Sequence, residues 1–74
     1  MNVSEAYKKA IKYLGRSKID YCVNVRGGWV FLGQMFPQAL YIDDNTVKGL
    51  SPHLDKDKGI LREAQEKIKN GDFY

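Results

Sequence analysis

The stretch Ile19-Asp20-Tyr21-Cys22-Val23-Asn24-Val25-Arg26-Gly27-Gly28-Trp29-Val30-Phe31-Leu32 decides the fold. Up to Val25 its apolar residues alternate, with Ile19, Tyr21, Val23 and Val25 separated by Asp20, Cys22 and Asn24. A period of two gathers one set on one face of an extended chain, the pattern of a half-buried strand. Trp29 to Leu32 is a second run, aromatic and β-branched. A glycine pair between two such runs signals a hairpin, because glycine reaches the left-handed conformations that close a tight turn. The two strands are therefore expected to be antiparallel neighbours.

Two registers fit this hairpin. A two-residue Gly27-Gly28 turn pairs Val25 with Val30 and Val23 with Leu32, gathering these four with Ile19 and Tyr21 on the core face and turning Trp29 and Phe31 outward. A three-residue Arg26-Gly27-Gly28 loop with a glycine bulge pairs Val25 with Trp29 and Val23 with Phe31, and turns Val30 and Leu32 outward instead. In both, Trp29 to Leu32 is apolar on both faces. An apolar patch on the side of the sheet away from the helices is the expected consequence, and such patches mark partner surfaces. The competing reading is that Met35-Phe36-Pro37, Phe73-Tyr74 or a longer loop covers that face.

Upstream, Val3, Ala6, Tyr7, Ala10, Ile11 and Leu14 recur at helical spacing with Lys8, Lys9 and Lys12 on the other side, predicting a helix from about Val3 to Leu14. Asn2 and Glu5 have capping-box spacing, and Gly15 stands where a left-handed carboxyl cap belongs. Downstream, Gly33 to Gln38 contains Pro37 and is a connection. Ala39 to Ile42 is a third strand ending at the turn residues Asp43, Asp44 and Asn45, and Val47 to Leu50 is a weaker fourth. Ser51-Pro52 starts a turn, Gly59 is expected to interrupt any helix begun there, and a helix restarts near Asp57. Ile60, Leu61, Ala64 and Ile68 form its apolar face, and Asn70-Gly71 ends it. The predicted fold is α+β, one domain over residues 1–74 in the order α-β-β-β-α, with an antiparallel sheet of three strands, or four-stranded where Val47 to Leu50 joins it, and both helices on one face.

The whole-chain numbers narrow the function. Seventy-four residues bury only about 60% of the unfolded surface, and one such core supplies roughly 3–5 kcal/mol, leaving little room for a deep catalytic cavity. The longest uncharged stretch, Gly27 to Ile42, is broken by Gly27, Gly28, Gly33 and Pro37 and cannot be a membrane helix. Glu5, Lys8, Lys9 and Lys12 interrupt the apolar run a signal peptide needs, so a cytoplasmic protein is expected. The net charge of +3 is uneven: residues 1–26 carry six Lys and Arg against two acids, while the last third balances. Only the amino-terminal third attracts an anion.

No motif for catalysis, cofactor or metal survives scrutiny. Cys22 and His53, the single thiol and imidazole, lack an orienting third residue, and a strand cysteine is ordinarily a packing residue. Asp55, Asp57 and Glu66 match calcium-loop positions one, three and twelve, but Ile60 replaces the required glycine. Asp43-Asp44-Asn45 is ordinary turn chemistry, and Gly27-Gly28 lies between strands rather than before a phosphate-binding helix. The leading expectation is a small non-enzymatic protein-interaction module, an inhibitor, regulator or accessory subunit. It binds a protein through the sheet face and the Met35-Phe36-Pro37 loop, with Trp29, Phe31, Met35 and Phe36 as contact residues. The alternative is nucleic-acid binding by Lys8, Lys9, Lys12, Arg16, Arg26 and Trp29, combining cations with a stacking ring. A third reading is a homodimer pairing its own sheet faces or edges.

Overall fold

The computed structural model describes residues 2–14, 19–33 and 39–74. Helix α1 spans Val3–Leu14, followed by strands β1 (Tyr21–Val25), β2 (Gly28–Leu32), β3 (Leu40–Ile42) and β4 (Val47–Gly49), and by helix α2 (Asp55–Lys69). The strands form one antiparallel meander in the order β1-β2-β3-β4. The α+β class holds, and the weak fourth strand is present.

The hairpin adopts neither of the two expected registers. Val25 pairs with Gly28, Val23 with Val30 and Tyr21 with Leu32, so the turn is Arg26-Gly27. Both turn residues have positive φ, 53° and 77°, as a type I′ turn requires. Gly28 is drawn into the strand because a Cβ there would lie 2.5 Å from the Tyr41 hydroxyl oxygen and 2.8 Å from the Ile42 carbonyl oxygen. Strand β3 thus closes over a position only glycine can fill.

The layering also differs from expectation: the helices cover opposite faces of the sheet. Val23, Val25, Val30 and Leu32 face α2 and pack with Ile60, Leu61 and Ala64. Cys22, Trp29, Phe31, Leu40 and Ile42 face α1 and pack with Ala6 and Ala10. The cause is β2, buried along its whole length. A strand apolar on both sides needs a cover on both sides. The small Ala6 and Ala10 let α1 approach closely, leaving Tyr7 and Ile11 at its exposed flank.

The ends of the helices follow local chemistry. Asn2 Oδ1 accepts the Glu5 N–H at 2.8 Å, satisfying a donor that has no partner inside the helix. The expected break at Gly59 does not occur, since α2 runs unbroken from Asp55. Gly59 faces the hairpin tip, where a Cβ would stand 3.2 Å from the Arg26 guanidinium, so a residue that weakens the helix by about 1 kcal/mol makes room for a tertiary contact. At the carboxyl end Gly71 has φ 78°, with Asp72 N–H bonding Lys67 O at 2.7 Å and Gly71 N–H bonding Ile68 O at 3.0 Å. This is a Schellman turn, and it directs the last residues back to β1. The expected Gly15 cap of α1 lies outside the described residues. Among those described, no helix is long and apolar enough to cross a membrane.

Candidate functional site

Of the residues expected to form an exposed contact face, Trp29 and Phe31 lie in the interior. Phe31 is fully buried and Trp29 is 9% exposed. The Tyr7 ring meets Phe31 edge-on at 5.8 Å, and the Tyr74 ring meets Trp29 at 5.3 Å. The apolar sheet face is thus covered by α1 and the chain end, because burial of that face completes the small core. Met35 and Phe36 of the expected contact loop lie outside the described residues.

In the set expected for nucleic-acid binding, Trp29 is buried rather than offered as a stacking ring. Lys8, Lys9 and Lys12 are exposed on α1, whereas Arg16 lies outside the described residues. Arg26 is engaged: its guanidinium donates to both Glu63 carboxylate oxygens at 3.1–3.2 Å. Lys67 Nζ donates to the Asn24 carbonyl at 2.6 Å. These bonds tie the hairpin tip to α2.

Cys22 is buried on the α1 side, where desolvation pushes its thiol up to about 11. His53 occupies the exposed turn leading into α2, on the opposite layer. Asp57 accepts Ser51 N–H at 2.8 Å and Lys48 Nζ at 3.1 Å, and Asp55 pairs with Lys58. Asp43 accepts Asn45 N–H at 2.9 Å, and that bond above all holds its carboxyl below the usual range. Each acid is occupied by local structure, and no cluster able to hold a metal ion is found among the described residues.

What remains is a difference between the two edges of the sheet. In β1, pairing with β2 through Tyr21, Val23 and Val25 turns the backbone groups of Cys22 and Asn24 outward. Both outward carbonyls are capped, Cys22 O by the Tyr74 N–H at 2.8 Å and Asn24 O by Lys67. At the opposite edge, Asp43 and Thr46 exchange both backbone bonds. Alternation makes Tyr41 and Lys48 the next bonded pair, so the N–H and C=O of Val47 and Gly49 point away from β3. No hydrogen bond among the described residues reaches those four groups from outside. All three β4 residues are exposed, and the side of Gly49 that a Cβ would occupy is open space.

A groove lies beside this open edge. Helix α1 packs over β2 and β3, and its flank leaves a depression of about 330 Å³ lined by Lys9, Lys12, Tyr13 and Val47. Val47 shares the α1 side of the sheet with its partner Ile42, and Tyr13 is 59% exposed. Neither Tyr13 nor Val47 belongs to the sites read from the sequence. Tyr13 falls outside the apolar stripe of α1, and the meaning of Val47 depends on strand order. The usable signal is the run Thr46-Val47-Lys48-Gly49, short and charged as edge strands are.

No protein-family model matches the chain, and no curated protein or solved structure shows significant similarity to it.

Proposed function

We propose that this chain is a small non-enzymatic protein-interaction module that receives an extended segment of a protein partner at the β4 edge. One observation carries the reading: the outward N–H and C=O groups of Val47 and Gly49 are unbonded among the described residues, while the corresponding carbonyls of β1 are capped. An unpaired edge is a template for strand addition, in which backbone hydrogen bonds supply affinity and alternate side chains supply specificity. The partner surface therefore moves from the sheet face, which α1 fills, to the sheet edge. A role without catalysis agrees with a protonated, buried Cys22 and acids already committed to turns and helix starts.

The test is selection of displayed random peptides on the intact protein, with Gly49→Pro as the counter-target. Proline removes the outward N–H without losing a bond to β3. Peptides enriched on the native chain should lose at least about tenfold in affinity on Gly49→Pro, a loss of roughly 1.4 kcal/mol. They should also slow exchange of the Val47 and Gly49 amides in the native protein, a readout that stands even if the proline variant is unstable. Peptides that bind both proteins equally and leave those amides unchanged would remove the edge from consideration.

A further inference from the structure

Resting on that reading, we infer that the bound segment is acidic, with carboxylates at every second position. A strand added outside β4 continues the pleat, so its side chains alternate between the α1 side and the α2 side of the sheet. The positions on the α1 side lie beside Val47 and enter the groove whose other walls are Lys9, Lys12 and Tyr13. Neither lysine makes an ion pair among the described residues, whereas the one lysine of β4, Lys48, is held by the buried Asp57. Unpaired cations therefore line one side of the incoming strand. Tyr13 adds an exposed ring and hydroxyl against which the stem of a carboxylate side chain can pack. Lys8 adds a third exposed cation on the same helix.

The same charges argue against a second copy of this chain. Antiparallel pairing of two β4 strands about a two-fold axis normal to the sheet places both α1 helices on the same face of the joined sheet. Lys9 and Lys12 of one copy then face Lys9 and Lys12 of the other, an arrangement that repels. A nucleic acid would use the lysines, but its phosphates only accept hydrogen bonds and leave the outward carbonyls of Val47 and Gly49 unpaired, and Arg26 and Trp29 are engaged with Glu63 and Tyr74.

The experiment titrates the isotope-labelled protein with three probes: a short peptide alternating Glu with Val, the same peptide with Gln for Glu, and a mixed-sequence single-stranded oligonucleotide. The Glu peptide is expected to protect the Val47 and Gly49 amides and to weaken about five- to tenfold in the double variant Lys9→Glu/Lys12→Glu, as two partly exposed ion pairs allow. Added salt should weaken it further by screening. Equal affinity for the Gln peptide overturns the acidic preference and leaves strand addition standing. If neither peptide perturbs Val47 or Gly49, strand addition itself falls. Oligonucleotide binding lost in the double variant but untouched by Gly49→Pro reassigns the surface to nucleic acid. Protection of Val47 and Gly49 that rises with protein concentration alone makes a second copy the occupant.

Discussion

The backbone N–H of Tyr74 donates to the carbonyl of Cys22 across 2.8 Å, closing the outer edge of β1. The bond forms because the left-handed turn at Gly71 reverses the chain after α2. Two ring contacts accompany it, Tyr74 on Trp29 at 5.3 Å and Phe73 on Tyr21 at 5.1 Å. Phe73 and Tyr74, together with Lys67 on the Asn24 carbonyl, thereby screen the first edge of the sheet, whereas no such cap reaches β4 among the described residues.

Removal of Phe73 and Tyr74 is expected to shift Trp29 emission to longer wavelength, since the indole loses its cover. Each edge-to-face ring pair contributes about 0.5–1.5 kcal/mol beyond burial, so the denaturation midpoint should fall as well. The uncapped β1 edge should add concentration-dependent association, read by sedimentation. An unchanged emission maximum together with an unchanged midpoint would mean that the tail is not packed on β1.

Gly28 and Gly49 should respond oppositely to the same substitution. Gly28→Ala drives a methyl into the Tyr41 ring and the Ile42 carbonyl and should destabilise by about 1–3 kcal/mol, as overpacking does. Gly49→Ala meets nothing within 4 Å and should be neutral or stabilise by up to about 1 kcal/mol by restricting the unfolded chain. Urea midpoints measured side by side decide this. Equal effects would sink the account of why the turn sits at Arg26-Gly27.

Much of this fold was legible because local chemistry decided it. The Asn2 cap, the extent of α1, the Asn70-Gly71 stop and the alternation through β1 each depend on residues a few positions apart. The register was not, since Gly27-Gly28 permits several loop frames and the choice rests on Tyr41, a contact from another strand. Nor was the layering: periodicity shows that Trp29 and Phe31 lie opposite Val30 and Leu32, but not that α1 covers them. The candidate site was hidden for a related reason. An edge is defined by the strand that fails to arrive, and only the order β1-β2-β3-β4 reveals that Val47 and Gly49 are at one.

Leu61→Ala should cost about 2–5 kcal/mol, as for a leucine truncated inside a packed core. Leu61 is 4% exposed among Val23, Val30 and Ala64. By contrast, Lys8→Glu with Lys12→Glu should change stability by no more than about 0.5 kcal/mol per site, because both lysines are exposed. Denaturant midpoints for the two variants give the comparison. A leucine variant as stable as the native chain would detach α2 from the core.

The Cys22 thiol, pushed up to about 11 by burial, should resist alkylation at pH 8, where almost none of it is thiolate. Its labelling rate should rise steeply across the denaturant transition and track loss of structure. Fast labelling of the native protein would show that the α1 layer opens readily and that β2 is exposed far more often than its packing implies.

Asp57 should impose an acid limit on the fold and, through it, on the proposed binding edge. Its carboxylate is 2% exposed and joins the Ser51 N–H to Lys48, the middle residue of β4. The Ser51 bond first, and Lys48 second, outweigh desolvation and hold its pKa below the ordinary Asp value of 3.8. A carboxyl depressed in the folded state contributes stability that is fully present above the unfolded value and is lost as pH falls through the folded one. The denaturation midpoint should therefore be level from neutrality to about pH 5 and decline below about pH 4. Asp43, also depressed, contributes in the same window, so the measurement is the difference between native and Asp57→Asn profiles, which cancels it. The variant should be less stable at pH 7, with the gap narrowing as the pH drops. Because Lys48 loses its anchor, the Val47 and Gly49 amides should also exchange faster in the variant. Parallel pH profiles for the two proteins would show that the Asp57 carboxylate does not hold β4 against α2.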